Sequence, residues 1–234
     1  MWNRLMESKR RRNCVVVGAS SGIGQEIAQQ LVQEGSRVFG FARRFEQAEK
    51  NDDSKVVKKR LDVTDKRAVA EAFQALPEID VFVYSAGGAF FTEAMETSLE
   101  DIDAMWKVHV SGAWSCFKNA FPKMVNEKSI ALVIGSIAGT TYTPGCLAYS
   151  MAKTAQRVLW EHIVDPCRKR GIRTTHVALG AVDTPLWDSM KNASRIDMLN
   201  AKDVAQTILK CIDEPSLHVP ELTILPKKGI LEEI

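Results

Sequence analysis

The stretch Cys14-Val15-Val16-Val17-Gly18-Ala19-Ser20-Ser21-Gly22-Ile23-Gly24 decides the fold. Cys14–Val17 is a short β-branched run and reads as a buried strand. Its glycines follow a G-x-x-x-G-x-G spacing, one residue different from the G-x-G-x-x-G of dinucleotide-binding turns. Beyond them Ile23, Ile27 and Leu31 repeat at helical spacing, and Gly35 stops the pattern. Glycines permit a tight turn and let backbone amides approach a pyrophosphate. The helix N-terminus adds unpaired N–H groups and a favourable dipole. Gly24, without a side chain, lets the helix pack closely on the sheet. A glycine turn alone also serves as a plain strand-to-helix connection. The strand before and the helix after favour a dinucleotide, with Gly18, Ser20, Ser21, Gly22, Ile23 and Gly24 as its cradle.

Outward from this turn the alternation continues. Strands are expected at Arg37–Ala42, Lys55–Leu61, Ile79–Tyr84, Ser129–Gly135, Ile172–Leu179 and Leu222–Leu225. Helices are expected at Gly22–Glu34, Asp65–Leu76 with Thr64 as N-cap, Ser98–Val125, Ala148–Lys169 and Lys202–Ile212. Strand and helix in turn imply an α/β fold, a doubly wound parallel sheet covered on both faces. No repeat, low-complexity tract or linker interrupts it, so residues 1–234 read as one domain, with Glu46–Ser54 a loop or short helix.

Composition agrees. Of 234 residues, 45% are hydrophobic and 26% charged, which excludes a disordered or collagen-like chain. The balance of 31 basic against 29 acidic residues argues against a dedicated nucleic-acid binder. The one basic run, Lys9-Arg10-Arg11-Arg12, is a phosphate or anionic-surface contact or a solvated arm over residues 1–12. Five scattered cysteines with no C-x-x-C pair argue against a disulfide framework and a zinc site, and for a reducing compartment. No apolar run approaches the ~18 residues of a membrane span. Residues 1–13 lack the apolar core of a signal peptide, so a cytoplasmic location is expected.

The end of the second strand bears on the nucleotide. Dinucleotide folds place an acid there to bind the ribose 2′-hydroxyl. This chain has Arg43 and Arg44 instead, a pair suited to a 2′-phosphate, which favours NADP(H) over NAD(H). Solvated loop charges are the alternative. Further along, Tyr149 and Lys153 stand four apart at a helix start and share a face. Ser136 closes the fifth strand, and Gly18, Gly87 and Ser136 all follow strand ends. Ligands of parallel sheets bind outside those carboxyl ends.

Taken together, the glycine turn, Asp62 in Leu61-Asp62-Val63, Ser85-Ala86-Gly87, Ser136 and Tyr149-Ser150-Met151-Ala152-Lys153 resemble the short-chain dehydrogenase/reductase family over almost the whole chain. The resemblance implies a Rossmann-like fold with seven parallel strands and hydride exchange between a nicotinamide cofactor and a carbonyl or alcohol. Tyr149 would be the general acid or base, its reference pKa of ~10 lowered by the Lys153 ammonium. Lys153 would also hold the nicotinamide ribose, and Ser136 the substrate oxygen. Asp62 would meet the adenine, with an N-terminal cap or loop carboxylate as the alternative. Val63, Ser85, Ala86 and Gly87 would also bind the cofactor, and the Val182 backbone and Thr184 hydroxyl would meet the carboxamide.

Several positions depart from the family pattern. His109 stands where the family has an asparagine supporting a water relay to the lysine. It is expected either to replace that relay and add a pH dependence near neutrality or to be a satisfied, partly buried histidine. Ser85 replaces an asparagine before Ala-Gly, with a structural effect expected. Leu179 stands where proline is usual.

Phe90, Phe91, Trp187 and Met190 are the substrate candidates, with 186–200 as a covering segment for a modest, mainly apolar carbonyl compound. Helix packing or a subunit contact is the alternative for these side chains. The family resemblance implies a homodimer or homotetramer through the two long helices. A non-catalytic, dinucleotide-sensing regulator on the same fold is the alternative function. A nucleic-acid or membrane-surface binder using the basic arm is a third. No metal site is expected.

Overall fold

A computed structural model describes residues 11–46, 56–125, 127–188, 190 and 194–229. Residues 1–10 of the basic arm, 47–54 of the expected loop, Lys55, and 189 and 191–193 of the covering segment lie outside the described residues.

The chain opens with β1 (Asn13–Val17), α1 (Gly22–Gln33), β2 (Arg37–Ala42), β3 (Val57–Arg60), α2 (Lys66–Gln74) and β4 (Val81–Tyr84). Then come α3 (Leu99–Trp106), α4 (Ala113–Ala120), β5 (Ile130–Ile134), α5 (Leu147–Arg168) and β6 (Arg173–Leu179). It closes with β7 (Val182–Asp183), β8 (Leu199–Asn200), α6 (Ala201–Asp213) and β9 (Glu221–Ile224). Seven strands form one sheet in the order β3-β2-β1-β4-β5-β6-β9, and every pairing is parallel. The expected α/β, Rossmann-like architecture is therefore present. Strands β7 and β8 form a separate two-stranded ribbon.

Both faces of the central strands are covered, which is why they carry near-continuous apolar runs. Ile27 and Leu31 of α1 and Val204, Ile208 and Ile212 of α6 pack on one face. Val69 and Phe73 of α2, Phe117 of α4 and Trp160 and Ile163 of α5 pack on the other. The chain runs outward from β1 to β3 and returns to β4 on the opposite flank of β1. That reversal leaves a crevice at the carboxyl ends of β1 and β4, where open parallel sheets hold ligands.

Three local expectations are corrected. The N-cap of α2 is Asp65, whose carboxylate accepts from the amides of Arg67 and Ala68 at 3.0 Å each. Thr64 instead donates its amide and hydroxyl to Asp62, at 2.9 and 2.8 Å. The segment Ser98–Val125, expected to be mostly one long helix, is divided into α3, a π-helical turn at Lys107–Gly112, α4 and a 3₁₀ turn at Phe121–Lys123. The Tyr84 hydroxyl donates to the Val108 carbonyl at 2.6 Å, drawing one backbone acceptor out of the regular ladder. A Cβ on Gly112 would lie 2.9 Å from that hydroxyl and 2.9 Å from Val63, so the turn presses closely on the sheet. Pro122 then ends the helix. The described part of the basic run is structural: Arg12 pairs with Asp213 and Glu34, and Arg11 donates to the Gly35 carbonyl.

Candidate active site

A cleft of about 350 Å³ lies over the carboxyl ends of the sheet. Ser21, Gly22 and Ile23 line it from the glycine turn, Ser85, Ala86 and Gly87 from the end of β4, and Ser136 from the end of β5. Tyr149 and Lys153 enter it from α5, His109 from the π-helical turn, and Val182 and Thr184 from the segment after β6. Arg44, Phe91 and Trp187 complete the predicted residues at its wall. The glycine turn, the serine, the tyrosine–lysine pair and the segment after β6, far apart in the sequence, thus meet in one place.

Other predicted residues lie elsewhere. Gly18 and Gly24 are beneath the cleft floor: a Cβ on Gly24 would stand 2.3 Å from the Gly18 carbonyl oxygen, and one on Gly18 2.6 Å from the Ala86 amide. Ser85 joins this contact, its hydroxyl 3.1 Å from the same position at Gly24, and it has a packing place there. Ser20, Val63, Phe90 and Met190 do not line the cleft, and Phe90 is exposed. Asp62 and Arg43 sit off its wall and act on each other electrostatically. Desolvation raises the Asp62 pKa, but two hydrogen bonds from Thr64 and the Arg43 charge outweigh it and hold the carboxylate below its usual value.

Two findings concern the catalytic candidates. Burial pushes the Tyr149 phenol up to about 12, the Ser136 hydrogen bond lowers it and nearby Cys146 raises it. Lys153 does not lower it as expected: the lysine reaches the cleft, but its Nζ is engaged by other acceptors. Its Nζ donates to the Ile134 carbonyl at 2.8 Å and to Gln156 Oε1 at 3.0 Å, 5.6 Å from the Tyr149 ring centroid. Burial brings Lys153 itself down to about 7.

His109 also differs from expectation. It is 1% exposed, and burial first, then the Lys153 charge, lower it to about 3 against the opposing Gly88 bond. It is neutral near pH 7, so the expected titration near neutrality does not arise from it. Its Nε2 lies 2.8 Å from the Gly88 carbonyl and must carry the proton. Its buried Nδ1 has no hydrogen-bond partner.

The covering side is apolar. Phe91 and Trp187 stack with centroids 5.1 Å apart at 20°, and the Trp187 indole N–H donates to the Val182 carbonyl at 2.9 Å. Ile137, Thr143, Cys146, Pro185 and Leu186 add to the wall. Leu186 falls in the expected covering segment, whereas Ile137, Thr143 and Cys146 carried no expectation of a site role, and neither did Gln156. The only signal for Gln156 was a polar side chain at a core-facing position three residues after Lys153.

The residues suit a dinucleotide. Helix α1 begins at the cleft with no side-chain cap on Ser21 and no acid in its first turn, leaving its amides to an anion. Arg44 donates to the Ser21 hydroxyl at 2.5 Å, which sets a cation beside that end. The orphaned Nδ1 of His109, whose ring lines the same cleft, is an unsatisfied acceptor. Among the described residues no cluster of His, Cys, Asp and Glu could hold a metal, and no helix is long and apolar enough to cross a membrane.

A sequence model described as short chain dehydrogenase matches residues 12–195. An uncharacterized oxidoreductase of Staphylococcus saprophyticus is 32% identical over 230 residues, covering 91% of this chain and 96% of that protein. The fold is similar to a serine dehydrogenase in its closed form complexed with NADP⁺, with TM-score 0.83 and 23% identity over 95% of this chain and 98% of that one. It is also similar to an alcohol dehydrogenase of the archaeon Thermococcus sibiricus complexed with 5-hydroxy-NADP, with TM-score 0.81 and 23% identity over 96% and 98% of the two chains.

Proposed function

The chain belongs to the short chain dehydrogenase family, and on that premise we propose that it is an NADP(H)-dependent oxidoreductase interconverting a carbonyl and an alcohol. The observation that carries the reading is the convergence of Ser136, Tyr149 and Lys153 on the cleft that begins at the uncapped end of α1. A bound nicotinamide cofactor would supply or accept the hydride at the substrate carbon.

The protein's own part is the proton and the geometry. Ser136 hydrogen-bonds the substrate oxygen and steadies the charge that develops there. Tyr149 gives that oxygen its proton in reduction and takes it back in oxidation. A phenol held near 12 by burial stays protonated, which suits an acid. For oxidation the same phenol must first be deprotonated, which its burial opposes. The amides of Gly22 and Ile23 hold the pyrophosphate. Arg44 takes the 2′-phosphate, which underlies the choice of NADP(H). Val182 and Thr184 meet the carboxamide, and Asp62 the adenine end. The stacked Phe91 and Trp187 favour an uncharged, mainly apolar substrate.

Exposed Trp106, Trp114 and Val158 border an apolar groove between the π-helical turn, α4 and α5. We assign this face to self-association as a homodimer or homotetramer. The free, mostly buried cysteines suit a reducing compartment.

The test is NADPH oxidation with a panel of neutral ketones, in the native chain and in Tyr149→Phe. Turnover lost in the variant, with NADPH binding kept, supports the reading. NADPH binding without turnover of any ketone or alcohol in the native chain replaces it with a non-catalytic nucleotide sensor.

A further inference from the structure

Gln156 has no exposed surface, yet it is polar and sits on the core face of α5 with Ala152 and Trp160. Its amide makes two bonds. Oε1 accepts from Lys153 Nζ at 3.0 Å, and Nε2 donates to the His109 carbonyl at 2.8 Å. Chemistry fixes this orientation: an ammonium only donates and a carbonyl only accepts, so the amide cannot be flipped. The side chain ties the lysine of α5 to the π-helical turn between α3 and α4.

An ammonium has three N–H donors. Ile134 takes one and Gln156 a second. One remains, its direction fixed by the other two. Burying an ammonium is costly without acceptors, and each acceptor it keeps favours the charged form. Among the described residues the ionisable groups facing Lys153 supply no carboxylate: they are Tyr149 from its own helix, His109 from the π-helical turn and His176 from β6. Neutral oxygens therefore carry this task.

We propose that Gln156 is a positioning residue, a buried amide bridge that favours the protonated form of Lys153 and aims its remaining N–H at the reacting side of the cleft. An apolar side chain would fill the same space without doing either. The bridge is seen in the ligand-free chain, and its catalytic consequence rests on the dehydrogenase reading above.

The experiment follows the Lys153 side chain by NMR in lysine-labelled, ligand-free protein, with Lys153→Arg to assign it. Two substitutions act in opposite directions. Gln156→Leu removes the acceptor, and the Lys153 titration midpoint falls by about one pH unit, a tenfold change. Gln156→Glu sets a carboxylate against the ammonium, and the midpoint rises by a similar amount. Gln156→Glu loses the donor to the His109 carbonyl. Gln156→Met, which lacks the acceptor but matches the length of the side chain, is therefore a further variant should the others fail to fold, and in it the midpoint falls as in Gln156→Leu. A midpoint unmoved in the folded variants, with only thermal stability reduced, overturns the proposal. In the same variants the lysine-dependent limb of the NADPH turnover profile follows the NMR midpoint. If the midpoints move but the native chain transfers no hydride, the bridge stands and the dehydrogenase reading falls.

Discussion

The imidazole of His109 stands edge-on to the Tyr149 phenol ring, with centroids 5.5 Å apart and planes at 82°. Burial holds it near a pKa of about 3, so its charge does not change across the working range. His109→Asn is therefore expected to leave the midpoints of the pH–rate profile in place between about pH 5 and about pH 9, where an unperturbed histidine would titrate. The Nε2 bond to Gly88 is lost, so stability falls by about 1 kcal/mol. Steady-state rates across that range check this, and a limb displaced in the variant contradicts it.

Acid sensitivity follows from the same imidazole and a second one. His176 is 5% exposed, and burial, then Lys153 and Arg157, lower it to about 4. Neither of its ring nitrogens has a hydrogen-bond partner. In the unfolded chain both histidines take a proton near ~6.5, above their folded values. Lowering the pH therefore favours the unfolded state. The histidines' contribution to stability is full above about pH 6.5 and falls toward their folded values at up to about 1.4 kcal/mol per pH unit for each group. Urea unfolding from about pH 7 to about pH 4 should show this, with a shallower slope in His176→Asn. Equal slopes in the two proteins remove His176 from the account.

The two arginines after β2 are not equivalent. Arg44 lines the cleft and reaches Ser21 at the start of α1, whereas Arg43 lies off the wall beside Asp62. A charge-assisted hydrogen bond is worth roughly 1.5–3 kcal/mol. Arg44→Ala should thus weaken NADPH binding about 10- to 100-fold and NADH binding little, while Arg43→Ala changes the preference less. Fluorescence titration with both nucleotides decides it. Equal losses for NADPH and NADH in Arg44→Ala would end the 2′-phosphate argument.

The residues legible in the sequence were those whose type is dictated by local chemistry. A glycine turn between a strand and a helix, and a tyrosine four residues before a lysine, keep their meaning wherever the chain goes. Their convergence followed from the parallel sheet, since each lies after or beside a strand end. Hidden features depended on tertiary contacts. The division of Ser98–Val125 needs the Tyr84 hydroxyl, which arrives from another strand. Asp65 and Thr64 are both plausible caps, and only the pull of Asp62 on Thr64 separates them. The state of Lys153 was misjudged because its acceptors, Ile134 and Gln156, belong to a strand and a helix face whose meeting no spacing records.

Two glycines of the first βα unit separate steric from conformational demand. At Gly24 a Cβ would stand 2.3 Å from the backbone oxygen of Gly18, a contact that side-chain motion cannot relieve. Gly24→Ala must push α1 off the turn, and overpacking of this kind costs roughly 1–3 kcal/mol. The displaced amides line the cleft, so NADPH affinity should fall together with stability. At Gly35 a Cβ meets nothing within 4 Å, but φ is +83°, which an L side chain adopts at a cost of roughly 1–2 kcal/mol. Gly35 caps the far end of α1, away from the cleft. Gly35→Ala should therefore lower the melting temperature and leave the NADPH dissociation constant unchanged. Thermal unfolding and nucleotide titration on the pair test both halves, and an affinity loss in Gly35→Ala equal to that in Gly24→Ala would show that α1 responds as one rigid body instead.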